Sequence, residues 1–138
     1  MADSPQTSGD LKLIVVTPES TALDVAAEFV ALPLFDGEIG IGRAHAPMIG
    51  RLGFGELRYK VGSETRTYYV DGGFVQVQDN VVSVLTNRAI SPKDINAAAA
   101  DDQLQEALAR KTSNPEEMAI RERLVLQARA QKRIAAKR

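Results

Sequence analysis

None of the ten glycines in this 138-residue chain lies beyond residue 87. Ahead of that point, short apolar runs are broken by glycine and by turn pairs. Behind it Ala, Leu, Gln, Glu, Lys and Arg take over. β-branched residues and glycine suit strands and tight turns, whereas the second set are strong helix formers. The chain therefore reads as strands first and helices second.

In the first part, Leu11 to Val16 (LKLIVV) reads as a strand. Thr21 to Leu34 is long and contains Pro33, which predicts two strands or one bent strand, with the proline at an edge or bulge. Asp36-Gly37, Gly62-Ser63, Asp71-Gly72-Gly73 and Asp79-Asn80 carry turn chemistry, and the second and fourth fit two-residue hairpins. Many short strands at this spacing suggest a sandwich or a barrel.

The helical part carries two start signals. Ser91-Pro92-Lys93-Asp94 and Asn114-Pro115-Glu116-Glu117 each place a capping side chain before a proline and an acid. The first helix is expected to reach about Lys111, with Ala97, Ala100, Leu104, Ala107 and Leu108 on one face. The second runs from Pro115 nearly to the end. The link Thr112-Ser113-Asn114 is short, which favours an antiparallel hairpin. Its apolar face is mostly alanine, and small side chains bury little area. Such a hairpin is a candidate for a movable arm.

Several function classes are disfavoured. A net charge of -1 gives the whole molecule no pull toward nucleic acid. Without cysteine there is no thiolate chemistry. No apolar run approaches the ~18 residues of a membrane span. Met1 to Asp10 lacks a secretory or transit pattern and reads as a flexible tail of a cytoplasmic protein. His45, the single histidine, has no co-ligand at metal spacing and no serine in a nucleophile elbow near it. Gly37, Gly40 and Gly42 open no helix and precede no Lys-Ser/Thr, so a phosphate loop does not fit. Tyr59, Tyr68 and Tyr69 lack the cationic stripe of a single-strand binder and read as packing residues. The stretch from Arg123, with Arg129, Lys132, Arg133, Lys137 and Arg138 and no acid, fits a basic helix for an acidic protein surface.

The segment from Gly37 through Ile39, Gly40, Ile41, His45, Ala46 and Pro47 to Met48 resembles a signature of the epsilon subunit of F-type ATP synthases. Tyr69 to Val77, followed by Val81 to Leu85, resembles that family's second motif. The resemblance spans nearly the whole chain from Leu11. It implies an α+β fold: an N-terminal antiparallel β-sandwich over 11–87, a C-terminal two-helix hairpin over 88–138, and a tail over 1–10. It further implies a non-catalytic rotor subunit that couples proton flow to ATP synthesis, at the cytoplasmic face of a bacterial plasma membrane. Asp36, Gly37 and Glu38 match the loop facing the c ring, and Ile41, Arg43, His45 and Met48 a surface near gamma. When the hairpin extends to inhibit ATP hydrolysis, Arg121, Arg123, Arg129 and Lys132 would meet the alpha and beta subunits. Ala44 stands where many members have glycine, and Arg43 where proline is frequent. The nucleotide motif [IL]-D-x-x-R-A of some members is here Ile95-Asn96-Ala97-Ala98-Ala99-Ala100. It lacks both acid and arginine, so no cofactor is expected and ATP binding should be weak or absent. The alternative is a free-standing binding module with a basic arm.

Overall fold

A computed structural model describes residues 10–136; of the expected tail over 1–10 all but Asp10 lies outside the described residues, as do the terminal Lys137 and Arg138. Eight strands precede two helices: β1 (Leu11–Val16), β2 (Thr21–Ala27), β3 (Phe29–Leu34), β4 (Gly37–Ile41), β5 (Met48–Val61), β6 (Glu64–Gln78), β7 (Val81–Leu85), β8 (Ala89–Ile90), α1 (Ala97–Ala109) and α2 (Pro115–Ala135). The strands run in the order β2-β1-β7-β6-β5-β3-β4, with β8 on β6. Every pair is antiparallel except β1 with β7. The α+β fold with a mostly antiparallel sandwich and two C-terminal helices is the one expected.

β5 and β6 are 14 and 15 residues long and pair from Met48–Val77 to Val61–Glu64. Gly55, Gly72 and Gly73 have positive φ and bend this ribbon. Its halves then serve two layers, one continuing through β7, β1 and β2, the other through β3 and β4. Between them lies a core that includes Leu11, Leu13, Val30, Leu32, Ile41, Leu57, Val75 and Val84. Asp71-Gly72-Gly73 is therefore a kink inside β6 and not the turn its composition suggests. A Cβ on Gly73 would sit 1.8 Å from the Leu85 carbonyl oxygen, so the close approach of β7 requires glycine. Thr21 to Leu34 divides into two strands, and the β3–β5 register shifts between Ala31 and Leu34, around Pro33. Gly62-Ser63 and Asp79-Asn80 close their hairpins, the latter with both residues at positive φ.

The sheet runs slightly past residue 87, because Ala89 and Ile90 pair with Val70 and Tyr69. Ser91 and Pro92 open only a 3₁₀ turn, and Ser91 makes no side-chain cap. Ile95 then adopts an extended conformation and is buried. That break moves the start of α1 to Asn96, whose Oδ1 accepts from Ala99 N at 2.9 Å. The second start is as read: Asn114 Oδ1 accepts from Glu117 N at 2.8 Å. Glu117 Oε1 reaches back to Ser113 N (2.9 Å) and Ser113 Oγ (2.8 Å). The helices run antiparallel around Leu104, Ala107, Val125 and Ala128. Ala97 and Leu108, expected on the buried face, are exposed, as are Met118 and Leu126. A third apolar cluster, Tyr69, Ile95, Ala130, Ile134 and Ala135 with Ile90 at its edge, joins α2 to the sandwich.

Candidate functional site

The β3–β4 turn projects Asp36, Gly37 and Glu38 into solvent. Gly37 sits at φ 151°, and Glu38 pairs with Arg58 across the sheet at 3.2 Å. Nearby, Arg51 stacks on the exposed Phe35 ring at 4.5 Å. The turn offers carboxylates with an aromatic beside them, on a rigid hairpin.

The Gly42–Pro47 loop leaves Arg43 exposed and His45 and Met48 half-buried. His45 Nδ1 lies 2.8 Å from the Ala46 carbonyl. Ala44 takes φ 59° and donates its N–H to Asn80 Oδ1 at 2.7 Å, tying the loop to the β6–β7 hairpin. Ile41 is different: its side chain is fully buried in the sandwich core. It supports this loop from below and presents nothing to a partner, a correction to its expected place on the surface.

Beside the loop lies an apolar face that the motif reading missed. Ile49 (76% exposed), Phe74 (55%) and Leu85 (54%) stand in solvent. The register pairs Ile49 with Gln76, Arg51 with Phe74 and Phe74 with Leu85, so they share one face of the sheet. The signal was available: Phe74, Gln76 and Gln78 alternate with Val75 and Val77, and a large ring in phase with two glutamines points outward. Three bulky apolar side chains in one exposed patch are the mark of an interaction surface.

The arm's cations divide into two kinds. Arg123 and Arg129 are exposed, with the exposed Leu126 between them in sequence and on the same helix face. Arg121 donates to the Leu108 carbonyl at 3.2 Å, and Lys132 to Asp101 at 2.7 Å. These two hold the hairpin closed in this conformation. The Lys132 hydrogen bond and charge hold the Asp101 carboxyl below its usual range. Asn96, in the stretch matching the nucleotide motif, uses its side-chain oxygen as the α1 cap. Among the described residues, no group of His, Asp or Glu could hold a metal ion, and no helix is long and apolar enough to cross a membrane.

One polar cluster joins body and arm. Asp71, buried at the β6 kink, receives Arg88 Nε on Oδ2 (2.9 Å) and Gln127 Nε2 on Oδ1 (2.8 Å). Its N–H donates to Thr86 Oγ1 at 2.9 Å, and its carbonyl accepts from Asn87 Nδ2 at 3.1 Å. The Arg88 guanidinium lies 5.7 Å from the Tyr69 ring centroid. Burial pushes the Tyr69 hydroxyl pKa up to about 12, the Asp71 charge adding to the shift. Nothing in the sequence singles out Asp71 and Gln127 as partners.

A family model described as ATP synthase, Delta/Epsilon chain, beta-sandwich domain matches residues 10–92. The chain is 51% identical over 123 residues to the ATP synthase epsilon chain of Rhodopirellula baltica, covering 89% of this chain and 96% of that one. It is 42% identical over 105 residues to the ATP synthase epsilon chain of Carboxydothermus hydrogenoformans, covering 74% and 78%. Its fold is similar to a chain of the Euglena gracilis mitochondrial ATP synthase, in a structure of OSCP, F1 and c-ring (TM-score 0.81, 21% identity, 99% and 91% covered). It is also similar to a chain of the Tetrahymena thermophila enzyme's central stalk and c-ring (TM-score 0.71, 14% identity, 94% and 98% covered).

Proposed function

From the premise that this chain belongs to the ATP synthase epsilon-chain family, whose members are non-catalytic subunits, we propose that it works in the rotor of a proton-translocating ATP synthase. It braces gamma against the c ring, peripheral to the cytoplasmic face of a bacterial plasma membrane. Asp36, Gly37 and Glu38 face the ring. Arg43, His45 and Met48, extended by Ile49, Phe74 and Leu85, face gamma. The hairpin, taken as a unit from about residue 91, is a regulatory arm. When it extends, Arg121, Arg123, Arg129 and Lys132 meet acidic surfaces of the alpha and beta subunits and slow ATP hydrolysis.

The observation that carries this reading is the exposed apolar face beside the Gly42–Pro47 loop. It is built on the stiff ribbon of β5 and β6, where a partner meets a fixed surface and loses little freedom on docking. The arm's part is supported by its thin apolar contact with the sandwich and by the intramolecular use of Arg121 and Lys132. Both contacts run from α2 to α1, so these cations become free for a partner only where extension also parts the two helices.

Affinity purification of the tagged chain from its native membranes tests the assembly; gamma and c subunits are expected to co-purify, and recovery of the chain alone would reject it. A chain ending at Pro92 retains all eight strands and tests the arm. ATPase activity of the complex is expected to rise on truncation, and unchanged activity would remove the brake from the proposal.

A further inference from the structure

We infer that Asn80, which is not among the residues assigned to gamma, is the positioning residue of that surface: it pins the Gly42–Pro47 loop in the shape that docks. The inference rests on the reading of that loop as a gamma contact. Asn80 closes the β6–β7 hairpin together with Asp79, at φ 63° and 52° respectively. Two successive left-handed residues are what a type I′ turn requires. The Asn80 carbonyl accepts from Lys12 N of β1 at 2.8 Å. The turn and β1 therefore hold its backbone, and its side chain projects from a fixed point.

That side chain reaches the loop, where Asn80 Oδ1 accepts the Ala44 N–H at 2.7 Å. Residues 42–47 belong to no strand. Among the described residues, no backbone hydrogen bond joins them to another element. Ala44 holds φ 59°, a conformation that an L side chain resists, so the loop keeps this shape only while something compensates. The Asn80 bond supplies that compensation. Arg43 and His45 flank the pinned residue. Farther along the loop, Pro47 lines a hollow of about 380 Å³ with Ile49, Gln76 and Gln78, on the strands that also carry Phe74. The pin thus sets both the loop side chains and one wall of the hollow beside them.

Two demands meet at position 80. The turn needs a residue that tolerates positive φ, and the pin needs an acceptor on a short side chain. Asn and Asp meet both, whereas glycine meets only the first. Asn80→Gly therefore keeps the turn and removes the pin, while Asn80→Asp keeps the two together. Without the pin the loop samples other shapes, and apparent affinity for a partner drops by the fraction that stays competent.

Both variants of the full chain test this, by amide exchange and by titration calorimetry with purified gamma. In Asn80→Gly the Ala44 amide is expected to exchange roughly three- to tenfold faster, with β5 and β6 still protected as the reference for an intact body. Gamma is expected to bind this variant roughly three- to tenfold more weakly. Asn80→Asp is expected to match the unsubstituted chain in both measurements. Unchanged exchange of the Ala44 amide in Asn80→Gly overturns the pin. Equal loss of gamma affinity in the two variants also overturns it, since one of them retains the acceptor. Gamma affinity that is unchanged in Asn80→Gly but weakened by Phe74→Glu overturns the positioning role alone. Gamma binding indifferent to both substitutions overturns the reading of this face as the gamma surface.

Discussion

Gln127 Nε2 donates to Asp71 Oδ1 at 2.8 Å, joining residues 56 positions apart. Asp71 is where the Gln127 side chain ties α2 to the sheet, and it also fixes Arg88 and the β6 kink. Asp71→Ala should therefore loosen both body and arm. The expected loss is about 2 kcal/mol, since hydrogen bonds to a charged group carry more than neutral ones while Arg88 is half exposed. Urea denaturation measures it; Gln127→Ala should lose less, because it leaves the Arg88 contact intact.

Ala44 sits at φ 59°, a conformation that favours glycine. Relieving the Cβ clash is worth roughly 1–2 kcal/mol, against roughly 0.4–1 kcal/mol for the added freedom of glycine in the unfolded chain. The first effect wins, so Ala44→Gly should stabilise the protein by about 0.5–1 kcal/mol, raising the melting temperature by a few degrees. A fall in melting temperature would show that the hydrogen bond to Asn80 depends on alanine's stiffness.

The hydrogen bonds from the Ser113 N–H, then from its hydroxyl, hold the Glu117 carboxyl below its ordinary value of 4.5. A depressed folded-state pKa means a contribution present above 4.5 and lost as pH falls through the folded value. Helicity of the hairpin, followed by circular dichroism, should decline with acid in that window. Glu117→Gln should flatten the decline, and an unchanged acid transition would assign it elsewhere.

Phe74→Glu tests the apolar face. The side chain is more than half exposed, so unfolding free energy should move by no more than about 0.5 kcal/mol. Affinity for a gamma subunit should fall at least roughly tenfold, as for a central interface aromatic. Titration calorimetry with purified gamma reads the difference; equal binding would place the interface on another face.

Legibility in the sequence followed the range of the interactions. Asn114, Pro115 and Glu117 act within one helical turn, and that start was readable. So were Gly62-Ser63 and Asp79-Asn80, whose neighbours in sequence are their neighbours in space. Asp71-Gly72-Gly73 carries the same local chemistry but was misread, because Gly73 answers to the carbonyl of Leu85. Ser91-Pro92 failed for a similar reason: Ile95 is drawn into the seam with Tyr69 and Ile134 and breaks the helix behind it. Ile41 belonged to a recognisable motif, yet its burial follows from pairing with Val30 and from the core beneath.

The paired ribbon of β5 and β6 has a mechanical corollary. Force applied along it is shared by all its cross-links in parallel, whereas a pull on the marginal strands β2 or β4 opens their bonds one after another. A body built this way is stiff in shear and soft to peeling. A load entering near Phe74 would travel along β5 and β6 with little lost to deformation, while the margins yield first to any sideways tug.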